Sequence, residues 1–173
     1  MPLLDTEQIK EIIPHREPFL LIDEIIEMDE NRIVGMKYVK EDEYYFQGHF
    51  PQEKVMPGVL RIEALAQVGA VAILSLPKNR GKIAYFAGIK DAKFPAKVTP
   101  GDTLRLEVIL DRMGSRMGIG TGTAYLIDKA ACLGDKAVHP DGKAASSNDK
   151  VTCQCQMMFM LERSISDSAN HGA

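Results

Sequence analysis

Two residues in the stretch Gly48–Leu76 are of types that do proton chemistry: His49, just ahead of a proline-bounded loop, and Glu63, near the start of a long apolar run. Histidine can take a proton near pH 7, where its neutral form is abundant. A carboxylic acid can give one if it holds its proton, and an apolar setting favours that form. Each residue alone has a blander reading. A glutamate on a helix ordinarily faces water or an arginine, and a lone histidine is more often structural than catalytic. Two neighbours weigh against the bland readings. Gln67 follows Glu63 by one helical turn, where it can hydrogen-bond the carboxylate. His49 sits in the turn Gly48-His49-Phe50-Pro51, a rigid loop of the kind that presents a side chain at a site. The loop, the imidazole and the carboxylate together predict an acid–base site.

The element that must position Glu63 is a helix. Val, Leu, Ile and Ala dominate from Val59 onward, and Pro57 suits the first helical turn. A helix that is apolar nearly all round is buried. A membrane span needs about 20 consecutive apolar residues, whereas Arg61, Glu63 and Gln67 interrupt this run and Pro77 closes it. The pattern predicts a core helix. Its small residues, Ala64, Ala66, Gly69, Ala70 and Ala72, let other elements come close to its axis. Gly58 and Val59 stand at its amino end, where backbone N–H groups are free and the helix dipole favours negative charge, and a glycine there allows close approach of a substrate.

Bulk properties set the outer limits. A length of 173 residues fits one domain, expected over 1–163 with an elaborated polar stretch at 129–150 and a disordered tail at 164–173. A net charge of −3 argues against nucleic-acid binding as the main activity. Met1 to Ile13 is charged and lacks the apolar core of a signal peptide. Three cysteines, an odd number, suggest no disulfide framework and fit a reducing cytosol. The expectation is a soluble cytoplasmic protein.

The remaining elements surround the helix. Asp5 to Ile13 reads as a short helix capped by Asp5 or Thr6 and ended by Pro14. His15 and Arg16 follow in a turn, where His15 reads as a hydrogen-bonded turn residue. Phe19 to Met28 reads as a buried strand, and Arg32 to Val39 as its partner across the turn Asp29-Glu30-Asn31. Tyr44-Tyr45-Phe46 supplies aromatics ahead of the His49 loop. Four more strand-like runs follow the helix: Lys82 to Ile89, Thr103 to Met113, Arg116 to Asp128 and Val151 to Glu162. In the last, Val151, Cys153, Cys155, Met157, Phe159 and Leu161 share one face, and Thr152, Gln154 and Gln156 the other. The order predicts an α+β class in which a sheet wraps one long helix.

Two motifs are set aside. Gly118, Gly120 and Gly122 lack the β-α-β context and the spacing of a nucleotide fingerprint, so they read as points of close backbone approach in a strand. Cys153 and Cys155, with Cys132 and His139, do not make a zinc site, because alternation puts both strand cysteines on an apolar face where Cys behaves as a small hydrophobe.

The motifs taken together resemble a family. Gly48-His49-Phe50-Pro51, Val55-Met56-Pro57-Gly58-Val59-Leu60, Glu63-Ala64 and Ala66-Gln67 are similar to the signature of the 3-hydroxyacyl-[acyl-carrier-protein] dehydratases of the FabZ type. The likeness extends to His15-Arg16 and Pro18–Asp23, then to Phe86–Ile89, Lys93-Phe94 and Val98–Asp102. The sister FabA type carries Asp where Glu63 stands. The segment Lys129 to Lys150 departs from the family pattern, since a polar stretch replaces a tight last hairpin.

The resemblance implies a hot-dog fold, with His49 and Glu63 as the catalytic pair that removes water from a (3R)-hydroxyacyl thioester. His49 is expected to take the C2 proton and Glu63 to protonate the departing oxygen, the alternative being that both proton transfers run through His49, with the N–H of Gly58, beside Val59, contacting the thioester carbonyl. It implies no metal and no cofactor. It also implies acyl carrier protein as partner, and a homodimer as the minimal active unit, because the family's His and Glu come from two subunits; hexamers built as trimers of dimers are common among relatives. Lys90, Lys93 and Lys97 are candidates by position for a basic patch facing the acidic carrier. Another hot-dog thioester enzyme, a thioesterase or CoA-linked hydratase, would release free thiol in a hydrolysis assay or prefer CoA substrates. A non-catalytic acyl-chain binder would be expected to lack His49 or Glu63.

Overall fold

The computed structural model describes residues 1–127 and 149–163. The expected polar stretch at 129–150 (save its last two residues), the tail from Ser164, Cys132 and His139 all lie outside those residues. Helix α1 (Thr6–Ile12) opens the fold, capped as its sequence predicts: the Asp5 carboxylate accepts from the Gln8 N–H at 2.9 Å, and the Gln8 side chain accepts from the Asp5 N–H at 3.0 Å. Strands β1 (Glu24–Met28) and β2 (Arg32–Tyr38) form a hairpin. A single 3-10 turn (Tyr44–Gln47) buries Tyr45 and Phe46 and leads into the His49 loop. Helix α2 (Gly58–Leu74) follows, and then strands β3 (Lys82–Lys93), β4 (Thr103–Met113), β5 (Met117–Leu126) and β6 (Lys150–Arg163).

The six strands make one antiparallel sheet in the order β1-β2-β4-β5-β6-β3. The sheet curls around α2, which packs against β2, β3, β4, β5 and β6. This is the α+β, hot-dog arrangement that the resemblance implies. Its core is the apolar face of the sheet against the helix: Leu104, Leu106 and Val108 of β4, Cys153 and Cys155 of β6, and Leu65, Val68 and Val71 of α2 are all buried. The hydrogen bond that the Cys155 thiol donates to Cys153, together with burial, pushes the Cys155 thiol well above its ordinary range, so it packs as a neutral side chain.

Three sequence expectations are corrected. The run from Phe19 is a strand only from Glu24, because the backbone of Phe19 and Leu21 is hydrogen-bonded to the Gln67 side chain instead of a neighbouring strand. Strand β3 runs on to Lys93, past the expected end at Ile89, because β6 is long enough to pair with it throughout. Thr152 was expected to point away from the core and is fully buried. The pairing of β5 with β6 slips between Ala124 and Tyr125, so Thr152 is an extra residue in β6, and its hydroxyl donates to the Ala124 carbonyl at 3.1 Å.

The glycines of β5 act as read. A Cβ on Gly122 would lie 2.9 Å from Met157 Cε and 3.1 Å from Leu65 Cδ1 of α2. The helix rests on bare backbone there. Gly122→Val should therefore destabilise the fold by about 1–3 kcal/mol through overpacking. Urea titration should show a lower midpoint at unchanged slope, and an unshifted midpoint would mean that the helix does not depend on this contact.

Candidate active site

Helix α2 carries Glu63 on a face that continues through Ala66, Gln67, Gly69, Ala70 and Ile73. These positions recur at helical spacing, and at about 1.5 Å per residue they span roughly 15 Å of helix axis. The small side chains leave room between the helix and the sheet. The result is a cavity of about 260 Å³, closed on the sheet side by Tyr85 and Phe86 of β3, Leu110 of β4, Gly120 of β5, and Met157 and Phe159 of β6. Glu63 is the one carboxylate on its lining among the described residues.

Gln67, and no arginine among the described residues, partners Glu63. Its side chain keeps 17% exposure, and its Oε1 accepts from Gln67 Nε2 at 2.9 Å. Gln67 is fully buried and fully used. Its amide nitrogen also donates to the Phe19 carbonyl at 2.8 Å, and its Oε1 accepts from the Leu21 N–H at 2.8 Å. Glu63 is thus held against a side chain that is itself anchored to a second segment of backbone. The i to i+4 pairing expected from sequence is present; the anchoring is what sequence does not show.

His15 is the residue that sequence reading misplaced. Its ring is not tied up within the turn. It lines the cavity, with Nε2 3.4 Å from Glu63 Oε1 and Nδ1 buried without a hydrogen-bond partner. The sequence signal for it was slight: His15-Arg16 belongs to the segments that share in the family resemblance, but nothing in its spacing ties it to Glu63, 48 residues later.

His49 is positioned by its own loop. Its backbone carbonyl accepts from the Val55 N–H at 3.0 Å, and its N–H donates to the Tyr45 carbonyl at 3.0 Å. Its ring stacks on Phe50 with centroids 4.0 Å apart. His49 Nδ1 lies 2.7 Å from the Val55 carbonyl oxygen. A carbonyl can only accept, so Nδ1 carries the hydrogen and Nε2 is left with a lone pair. His49 does not line the Glu63 cavity of its own chain.

Gly58 and Val59 are the first residues of α2, where N–H groups have no intrahelical acceptor. A Cβ at Gly58 would lie 2.9 Å from Phe94 Cδ1, so the glycine lets this aromatic cover the helix end. Arg61, one turn in, is only 4% exposed and donates to the Ala96 and Thr152 carbonyls at 2.7 and 2.6 Å, fixing Phe94's segment and β6 to the helix. Burial lowers its pKa from the usual guanidinium range. Of the lysines, Lys90 and Lys93 are exposed on β3, and Lys97 pairs with Glu53 at 2.7 Å. No group of metal-ligating side chains occurs among the described residues.

A helix wrapped by an antiparallel sheet, with an acid at the end of an apolar cavity, defines a class whose folds are shared widely. The dehydratase heterocomplex ApeI:P from Xenorhabdus doucetiae matches at a TM-score of 0.68 and 16% identity over 98% of both chains. A hypothetical thioesterase with coenzyme A from Streptococcus pneumoniae matches at 0.52 and 12% identity, over 81% of this chain and 87% of that one. At such identities the likeness speaks for the fold alone. Residues 13–138 match the family model of the FabA-like domain. The 3-hydroxyacyl-[acyl-carrier-protein] dehydratase FabZ of Roseiflexus castenholzii is 56% identical over 134 residues, 77% of this chain and 94% of that protein. The FabZ of Bacillus thuringiensis is 53% identical over 142 residues, 78% of this chain and 99% of that protein. The chain belongs to the FabZ-type 3-hydroxyacyl-[acyl-carrier-protein] dehydratase family.

The anchoring role of Gln67 has a measurable consequence. Gln67→Leu keeps the volume but leaves the Leu21 N–H and the Phe19 carbonyl without partners, at about 1–3 kcal/mol for each buried group. Chemical denaturation should show a loss of at least about 2 kcal/mol, and wild-type stability in this variant would mean that the segment around Leu21 is held by other contacts.

Proposed function

We propose that the chain removes water from a (3R)-hydroxyacyl group carried on acyl carrier protein, giving the trans-2-enoyl thioester of fatty acid synthesis, with His49 as base and Glu63 as acid. The observation that carries this reading is Glu63, an anchored carboxyl group at an otherwise apolar cavity in a chain of the FabZ family. An acyl chain fits such a lining; a polar metabolite does not.

In the proposed step, His49 Nε2 takes the C2 proton, and the electron pair of that C–H bond becomes the C2–C3 π bond. The C3–O bond breaks with its pair on oxygen, and the proton of Glu63 completes a water molecule. His49 then holds the proton taken from C2 and Glu63 is a carboxylate; His49 releases that proton to solvent and Glu63 takes one up, which resets the pair. Negative charge that builds on the thioester carbonyl oxygen is met by the free N–H of Gly58, beside Val59, at the positive end of α2. No step needs a metal or a redox cofactor.

The two catalytic groups belong to different copies of the chain in this reading. His49 does not line its own chain's Glu63 cavity, while β3 ends the sheet with Tyr85, Phe86 and Ile89 exposed. An apolar, unpaired edge strand beside the cavity suits a second copy related by a two-fold axis, which would supply the missing imidazole; trimers of such dimers are a further possible assembly. The acidic carrier protein meets Lys90 and Lys93, with Lys97 contributing less because Glu53 offsets its charge. A cytoplasmic setting accords with the buried free thiols of Cys153 and Cys155, and none of the described helices is long and apolar enough to cross a membrane.

His49→Ala and Glu63→Ala should each lower kcat at least about 10²-fold, the low end for an acid–base group, while both remain folded. Near-normal turnover in either would remove the assignment. Mixing the two inactive variants and allowing subunits to exchange should restore about a quarter of wild-type activity, since each mixed dimer regains one intact site. No recovery would end the two-subunit account. Charge reversal at Lys90 and Lys93 should raise KM for carrier-bound substrate and leave KM for a short pantetheine thioester unchanged; an unchanged KM for the carrier-bound substrate would dispose of the basic patch.

A further inference from the structure

Two side chains converge on one oxygen of Glu63. Gln67 Nε2 lies 2.9 Å from Oε1, and His15 Nε2 lies 3.4 Å from the same atom. Oε2 carries no hydrogen bond among the described residues. The amide nitrogen of Gln67 can only donate, so Oε1 must act as acceptor, and the proton of the neutral acid belongs on Oε2.

The tautomer of His15 follows from its surroundings. In the neutral ring the single N–H lies on Nδ1 or on Nε2. Nδ1 is buried with no partner, so a hydrogen there would be an unsatisfied buried donor. On Nε2 the hydrogen is carried by the ring nitrogen that lies 3.4 Å from Glu63 Oε1. The distance is slightly beyond the usual 2.7–3.2 Å range; hydrogen bonds of catalytic groups often tighten only in the substrate complex.

We propose that His15, as the Nε2–H tautomer, is a positioning residue: with Gln67 it holds Glu63 Oε1 as the acceptor oxygen, so that Oε2 is the atom that carries the proton and delivers it to the departing hydroxyl. The proposal rests on Glu63 being the acid, as read above. The proton leaves Oε2 for the C3 oxygen and the C3–O bond breaks, while the two donors to Oε1 stabilise the carboxylate that remains. With Gln67 alone the carboxyl group can turn about its terminal bond and offer either oxygen; with two donors fixed on different elements, one orientation is held.

The test compares steady-state kinetics and melting curves of the full chain with three substitutions: His15→Phe, His15→Gln and, as control, Glu63→Gln. His15→Phe fills the space without a donor and should lower kcat about 10-fold or more, with KM within about twofold of wild type, as expected for losing a hydrogen bond to a charging group. His15→Gln places an amide N–H where Nε2 was and should restore kcat to within about threefold of wild type. Wild-type kcat in His15→Phe, a change in KM alone, or equal losses in folded His15→Phe and His15→Gln each overturn the proposal. Should His15→Phe fail to fold, His15→Gln decides alone: retained kcat supports the assignment, and a folded but impaired enzyme rejects it. Glu63→Gln separates the two levels. If it turns over normally, the reading of Glu63 as the acid fails; if it is inactive while His15→Phe is unimpaired, only the role of His15 fails.

Discussion

The buried amide of Gln67 is the interaction on which the site depends. A primary amide without partners in a protein interior is costly, and this one is fully satisfied only because three groups from two parts of the chain meet it: the Glu63 carboxylate on its own helix, and the Phe19 carbonyl and Leu21 N–H on the segment before β1. The same three bonds do two things. They keep the backbone of residues 19–21 out of the sheet, and they fix the carboxylate against the helix. The segment they capture also carries His15 to the cavity. A change at Gln67 is therefore felt both in stability and in the orientation of the acid.

Around that centre the fold uses buried polar groups as clamps where the apolar core cannot specify position. Arg61 is the clearest. It lies under Phe94 at 5.3 Å and reaches the Ala96 and Thr152 carbonyls, which ties the end of β3 and the start of β6 to the first turn of α2. Thr152 is in turn the extra residue in β6, and the bulge that buries it is what aims its carbonyl at the guanidinium. The amino end of α2, where Gly58 and Val59 offer free N–H groups, is thereby held by contacts from both sides rather than by helix propensity.

What could be read from the sequence follows from how local each signal is. Strand β4 was legible residue by residue, because Leu104, Leu106 and Val108 alternate and face the core. The cap of α1 was legible because caps act within four residues, and the start of α2 because Pro57 marks it locally. The close approach at Gly122 was legible as a glycine in a strand. Features that depend on a distant partner were not. Phe19–Asp23 looks like a strand by composition, and only a glutamine 48 residues on from Phe19 takes its backbone away. Thr152 obeys alternation until a one-residue slip against β5 turns it inward. His15 reads as a turn residue, since its only informative neighbour, Glu63, is remote in sequence. Pairing a local pattern with a long-range partner is the step for which a single sequence carries no physical signal.

The two atoms that the proposed chemistry needs are among those without a hydrogen bond to the described residues. His49 has one ring nitrogen committed to the Val55 carbonyl and the other without a hydrogen bond among the described residues. Glu63 has one carboxyl oxygen committed to Gln67, with His15 beside it, and the other likewise open. Each group is half-anchored by its own local structure, so neither depends on the other to hold its geometry. That independence is what the proposed two-copy site requires: each copy would fold with its half of the pair already oriented, and association would have only to bring the open nitrogen and the open oxygen to opposite sides of the acyl chain.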